Sequence, residues 1–168
     1  MANDFTRAMR RLVGHCTLIS VGEGEDRSGL VVTSGVSLSA DPAQVLFCVN
    51  KSASAWPLLR RYGCFGWSSL GAGQQKLAER FAGFGGVKGA DRYEGSAWVT
   101  EATGAPLLAN AVIAFDCILA EMIDRETHSI VVGEVKAIRM AEPEGEHPNA
   151  GALAYWNGRF VPLMDITS

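Results

Sequence analysis

The sequence predicts a mainly β fold, an antiparallel barrel with a few helices, and three observations point there. Short apolar runs rich in β-branched residues, about eight of them, recur with turn residues between. Only three stretches carry helical periodicity. A doubly wound α/β sheet would need a helix between most strands, and those helices are missing. The 168 residues are read as one domain, 1–168, long enough for a substantial core.

In chain order, Asp4 to Val13 reads as an amphipathic helix, capped by Asp4 and apolar along Phe5, Met9 and Leu12. Cys16 to Val21 is a β-type run. The polar GEGEDRSG from Gly22 to Gly29 reads as a hairpin loop into Leu30. The stretch that organises the rest follows: GLVVTSGVSLSADPAQVLFCVNKSASAWP, from Gly29 to Pro57. Its two apolar runs, Leu30 to Val32 and Val45 to Val49, have the length and composition of buried strands. Each empties into small hydroxyl residues: Thr33, Ser34, Ser37 and Ser39 after the first, Ser52 and Ser54 after the second. Lys51 adds a positive charge, and Ser54 is placed to cap a helix from Ala55 to Tyr62. A helix N-terminus beside serines and a lysine offers a seat for a phosphate. The same residues also suit a Ser-rich turn and an ordinary capped helix.

Cys64 to Leu70 reads as a strand between Gly63 and Gly71, and Gly73 to Ala82 is the clearest helix, with Leu77, Ala78 and Phe81 on one face and Gly83 to end it. The glycine-rich FAGFGGVKGADRYEG is a long loop, which in a compact domain is more often functional than idle. No strand feeds directly into it, so its glycines do not match a dinucleotide fingerprint. Trp98 opens a short strand, and Gly104-Ala105-Pro106 is a break. Asn110 to Ile123 and Ser129 to Arg139 are long apolar runs joined by a hairpin from Asp124 to His128. Ala141 to Gly151 reads as a mobile polar connection. The tail LAYWNGRFV forms two strands around Asn157-Gly158, a strong hairpin signal.

A net charge of −3 argues against a nucleic-acid-binding surface. The pairs Arg10-Arg11 and Arg60-Arg61 read as solvated helix faces. No apolar run approaches the roughly 20 residues of a membrane span, and the N-terminus lacks the apolar core of a signal peptide. The protein therefore reads as cytoplasmic. Cys16, Cys48, Cys64 and Cys117 lack metal-ligand spacing; the chain is read as free of metal sites and disulfides, with Cys16, Cys48 and Cys117 as core thiols. No Ser-His-Asp or Cys-His arrangement stands out.

Laid end to end, these pieces resemble the flavin reductase family with the FMN-binding split-barrel fold, the small reductase components of two-component flavin monooxygenases and their relatives. The resemblance runs through FTRAMRRLVGHCTLIS, GLVVTSGVSLSADP, VLFCVNKSASAWPLL, CFGWSSLGAGQQKLAERFAG, DRYEG, GAPLL, HSIVVGEV and LAYWNGRF, in family order from about Phe5 to Phe160.

The resemblance implies an antiparallel split barrel and a role for each matching residue. Val32, Thr33 and Ser34 through Ser37 would pack on the isoalloxazine ring and hydrogen-bond it. Asn50, Lys51, Ser52 and Ser54 would hold the ribityl and phosphate end. Phe81, Lys88 and Arg92 would complete the phosphate and adenine side. His128 would lie near the nicotinamide and the flavin edge, as a catalytic-site residue; a turn-stabilising or solvent-exposed histidine is the competing reading. Three positions depart from the family pattern: Gly35 stands where relatives carry an aromatic, Ser68 where they carry asparagine, and Glu126-Thr127 where they carry Gly-Asp. The implied activity is hydride transfer from NADH or NADPH to FMN or FAD. Reduced flavin or its electrons then pass to a partner monooxygenase or small acceptor. The alternatives are reduction of a metal complex, such as a cobalt-corrin precursor or ferric chelate, and a non-catalytic flavin or electron carrier. A homodimer is expected, because a split barrel of this size leaves strand residues such as Val112, Ile113, Ile118 and Leu119 uncovered.

Overall fold

A computed structural model of the chain describes residues 1–141 and 151–164, and antiparallel strands dominate it. The strands are β1 (Gly14–His15), β2 (Thr17–Glu23), β3 (Asp26–Val32), β4 (Val36–Ala40), β5 (Ala43–Asn50) and β6 (Cys64–Ser69), then β7 (Trp98–Val99), β8 (Leu107–Leu108), β9 (Ile113–Asp124), β10 (His128–Met140), β11 (Ala152–Trp156) and β12 (Arg159–Leu163). The helices are α1 (Ala2–Met9), α2 (Ala55–Tyr62) and α3 (Gln75–Phe81).

Seven strands form the main sheet in the order β3-β2-β6-β9-β10-β5-β4. Its two edge strands, β3 and β4, are consecutive in sequence and joined only by Thr33, Ser34 and Gly35. So short a link forces the sheet to curl until its edges meet, which makes a barrel with a seam. The Ser34 hydroxyl accepts the Cys48 N–H at 3.0 Å and stitches that seam to β5. Register shifts between Val132 and Gly133 and between Val135 and Ala137 interrupt the β9–β10 ladder, and such bulges add the twist a closing sheet needs. Gly133 also makes room for Phe65, whose Cζ would lie 2.3 Å from an added Cβ.

Inside the barrel, Ile19, Val21, Phe47, Phe65, Trp67 and Val131 pack with Ala55, Leu58 and Leu59 of α2. A second cluster, including Leu18, Leu70, Phe81, Tyr93 and Leu107, lies beneath α3 and the loop after it. On β5 the strict alternation of buried Val45, Phe47 and Val49 with more exposed neighbours shows one face turned inward.

Several sequence expectations need correction. The first helix ends at Met9; Asp4 sits in its first turn and caps nothing, and no residue of the helix is buried. The polar segment from Gly22 to Gly29, read as a hairpin loop, is mostly strand, because the β2–β3 ladder continues to the Glu23–Asp26 pair and leaves only Gly24-Glu25 as the turn. Cross-strand pairing outweighed the polar composition there. The serines after Val36 form edge strand β4, with Ser37 opposite Val45, so the strands number twelve among the described residues. The glycine-rich loop folds into two 3₁₀ turns, Phe84–Gly86 and Gly89–Tyr93. Cys48 is only half-buried, because it lies on the outward face of β5; Cys16 and Cys117 are fully buried, and burial pushes both thiols up to about 12. Asn157 and Gly158 both take positive φ, 51° and 80°, as a tight hairpin between β11 and β12 requires. The connection expected from Ala141 to Gly151 falls mostly outside the described residues.

Candidate functional site

The site is built where the seam strands meet the loop that follows β5. Asn50 ends that strand, and its Oδ1 accepts both the Ser52 N–H, at 2.9 Å, and the Ser52 hydroxyl, at 2.8 Å. This local turn swings the chain into α2. Ser54 occupies the N-cap place but has helical dihedrals, φ −60° and ψ −24°, and makes no capping bond. Its Oγ lies 2.6 Å from Ser28 Oγ on β3, so the expected cap is instead a tie across the seam. With buried Ser28 as donor, the Ser54 proton is left for an occupant of the cavity beside it.

That cavity, about 510 Å³, is lined by Gly29, Leu30, Val31, Ser52, Ser54, Phe81, Lys88 and Arg92. Gly29 has no side chain to spare: an added Cβ would meet Phe81 Cε1 at 2.6 Å. Phe81 is held edge-on by Tyr93, with ring centres 5.2 Å apart. The Tyr93 hydroxyl donates to Ser28 O at 2.5 Å and accepts the Val21 N–H at 3.2 Å, which pins β3 in place. Burial raises the Tyr93 pKa, so the phenol stays protonated. Arg92 spends two donors on the fold, Nε to Val87 O at 3.1 Å and Nη1 to Gly29 O at 2.6 Å. Partial burial lowers its pKa from a value so high that it stays cationic at neutral pH. Among the described residues Lys51, Lys88 and Arg92 form no ion pair, whereas Arg60, Arg61, Lys136 and Arg139 each have one. Unpaired cations around a hydroxyl-lined cavity suit an anionic ligand.

Above this cavity β3 runs into the seam turn. Val32 points into the core at 7% exposure, so it offers only backbone, and the Ser34 hydroxyl is already committed to Cys48. Thr33 and Ser37 are exposed. Gly35 is required by its neighbour: an added Cβ would lie 2.6 Å from Trp67 Cη2, and Trp67 is wedged between Phe47 and Phe115. Gly14 of β1 closes on the same turn, where an added Cβ would meet Thr33 Cβ at 2.6 Å. Beside it His15 Nε2 lies 2.6 Å from Thr17 Oγ1, and burial lowers the pKa of the imidazole.

A second cavity, about 650 Å³, is lined by Lys51 and the residues from Asp124 to His128. His128 is exposed, with Nδ1 2.8 Å from Thr127 Oγ1. The Lys51 N–H donates to Thr127 O at 2.9 Å, tying the hairpin to the serine loop. The Ser129 hydroxyl, helped by the charges of Arg60 and Lys51 and opposed by desolvation, holds the Asp124 carboxyl below the usual carboxylate range. Thus Lys51 faces one cavity and Ser52 and Ser54 the other, with one short loop as their common wall.

Of the residues singled out from sequence, Ser52, Ser54, Phe81, Lys88 and Arg92 come together at the first cavity and Lys51 and His128 at the second. Asn50 shapes the loop between and lines neither. Sequence reasoning missed Gly29, Leu30 and Val31 as lining; their place just before the seam turn was the available signal.

A family profile described as flavin reductase like domain matches residues 9–164. The chain belongs to this family. It is 35% identical over 137 residues to an FMN reductase (NADH), RutF 2, of Methylorubrum extorquens, covering 82% of this chain and 78% of that protein. Among solved structures it resembles the NADH:FAD oxidoreductase SgcE6 of Streptomyces globisporus, with TM-score 0.83, 30% identity, and 98% and 94% of the two chains covered. The same enzyme has been solved with NAD and FAD fragments. BorF, the flavin reductase component of a bacterial two-component tryptophan halogenase, matches with TM-score 0.85 and 29% identity over 98% and 99% of the two chains. Flavin-reductase-like membership thus agrees with the split barrel and its seam.

Proposed function

We propose that this flavin-reductase-like chain is a single flavin-binding unit that oxidises NADH and reduces FMN, with FAD as the alternative flavin. The observation that carries this is the pair of cavities sharing the Asn50 to Ser54 loop, one rich in hydroxyls and unpaired cations, the other holding His128. The donor set fits a flavin phosphate: the Ser54 hydroxyl, Lys88 and the remaining Arg92 donors converge on the first cavity, while Leu30 and Val31 supply an apolar wall. A flavin held there would supply the redox chemistry, taking up a hydride from the nicotinamide and passing on its two electrons, or leaving as reduced flavin.

The chain's own part is binding and orientation. Gly35 brings the seam backbone directly against Trp67, and the backbone from Val32 to Ser37 is the surface offered to the flavin ring. Lys51 and His128 face the cavity assigned to the nicotinamide nucleotide. No side chain is needed as nucleophile or general acid, since positioning and backbone donors do the work. BorF serves a halogenase, which supports a partner oxygenase or small electron acceptor here. Reliance on NADH, an intracellular reductant, supports a cytoplasmic location, and among the described residues no helix is long and apolar enough to cross a membrane.

The proposal extends to a homodimer. Of Val112, Ile113, Ile118 and Leu119, expected to be uncovered, only Ile118 is exposed, at 41%, and Leu119 packs against the core; instead helix α1 buries nothing and leaves Phe5 66% exposed, and edge strand β4 leaves Val36 51% and Leu38 49% exposed. A second copy covering these residues removes apolar surface from water. Sedimentation at micromolar concentration is expected to give twice the chain mass; a monomer with flavin affinity intact would refute the dimer. Flavin titration followed by NADH oxidation with FMN or FAD tests the activity itself.

A further inference from the structure

Beside the second cavity lies a closed ring of side chains that ligand binding does not explain. Trp56 and Arg60 stand one turn apart on α2 and therefore on one face. Trp56 Nε1 donates to Ser129 Oγ at 2.8 Å, and Ser129 Oγ donates to Asp124 Oδ1 at 2.7 Å. Arg60 Nη2 donates to the same Asp124 oxygen at 2.7 Å, and its guanidinium carbon lies 4.9 Å from the Trp56 ring centre, which closes the ring. Ser129 is fully buried, and its hydroxyl has spent one acceptor site and its only donor.

The ring brackets one feature. Asp124 and Ser129 face each other across β9 and β10, and the turn between them carries His128. That turn is already closed by its own backbone, Arg125 N–H to His128 O at 2.8 Å. On the core face of β10 Ser129 alternates with Val131 and Gly133, where an apolar side chain is the ordinary choice and an unsatisfied hydroxyl is costly. Here the hydroxyl instead joins the helix after the serine loop to the foot of the hairpin.

We propose that Ser129 and Trp56 are positioning residues for the reductase reaction: acting through Asp124 and Arg60, they set the Arg125 to His128 turn against the serine loop and so fix where the nicotinamide nucleotide sits relative to the flavin. The inference rests on the reductase reading above and adds two residues, Ser129 and Trp56, that line neither cavity.

Steady-state NADH oxidation at saturating FMN, with a separate FMN titration, tests it in Ser129→Ala, Ser129→Thr and Trp56→Phe. Ser129→Ala is expected to raise the NADH KM about five- to thirtyfold, the loss for one positional hydrogen bond, with a much smaller change in kcat and none in FMN affinity. Trp56→Phe keeps the ring under Arg60 and removes only the N–H, so it should move KM the same way; the double variant should be no worse than the worse single, because both act through one path. Ser129→Thr restores the hydroxyl and should restore KM. If Ser129→Ala does not fold, Trp56→Phe at its half-buried site carries the same comparison. Unchanged KM in variants of an active parent overturns the proposal, as does equal loss of FMN affinity or strict additivity. A parent that binds no flavin and oxidises no NADH overturns the reductase reading, and this inference with it.

Discussion

Replacing Ser54 by alanine separates a phosphate contact from a fold contact. The Ser54 hydroxyl lies 2.6 Å from Ser28 Oγ and lines the basic cavity with Lys88 and Arg92. A hydrogen bond to a charged phosphate contributes about 1.5–3 kcal/mol, so FMN affinity should fall roughly ten- to hundredfold. Riboflavin, which has no phosphate, should lose almost nothing. The variant also orphans the buried Ser28 hydroxyl, at a cost of about 1–3 kcal/mol in stability, so a lower melting temperature should accompany it. Ser28→Ala is the control: it removes the tie but leaves the exposed Ser54 hydroxyl free, and FMN should bind nearly as before. Titration of parent and both variants with FMN and riboflavin, alongside thermal unfolding, gives the comparison. Equal loss for the two flavins in Ser54→Ala would refute the phosphate role and leave the serine as a seam tie alone.

Other perturbations have equally definite outcomes. His128→Ala should lower kcat/KM for NADH about five- to thirtyfold in stopped-flow reduction, without a change in flavin affinity or melting temperature, since among the described residues its side chain bonds only to Thr127; unchanged kinetics would remove it from the site. Gly35→Ala should lower the melting temperature by about 2–12 °C, an overpacking cost of about 1–3 kcal/mol, because the core around Trp67 cannot move aside; calorimetry showing no change would mean that the turn is not held against the indole. Asp124, whose pKa is depressed, contributes stability that is present above its unfolded value of about 3.9 and lost as pH falls through the lower folded value. The difference in melting temperature between parent and Asp124→Asn should therefore be constant at neutral pH and shrink only below about pH 4; a difference that varies near neutrality would contradict the clamp.

How much was legible in the sequence follows from the range of the forces involved. The apolar runs of β5, β6, β9 and β10 and the Asn157-Gly158 turn carry local signals, and their elements appear where composition placed them. The polar Asp26 to Ser28 segment and the serines of β4 carry the opposite signal, yet form strands because a neighbouring strand supplies the ladder. The serine loop stands out in the sequence as a candidate site, but what its hydroxyls bond to does not. Ser54 looks like a cap until Ser28, far away in sequence, comes within hydrogen-bonding distance. Gly35 looked like a missing aromatic until Trp67 was seen to fill the space beside it. The group of Trp56, Arg60, Asp124 and Ser129 joins α2 to the β9–β10 hairpin, and no spacing in the sequence announces it.

The most direct test of the account is anaerobic mixing of the purified, FMN-loaded protein with NADH while the visible absorbance of the oxidised flavin is followed. Rapid bleaching is expected that requires NADH, saturates with its concentration, and is reversed when an electron acceptor is admitted. A protein that takes up neither FMN nor FAD, or that binds flavin and leaves it oxidised in the presence of NADH and NADPH alike, would contradict it.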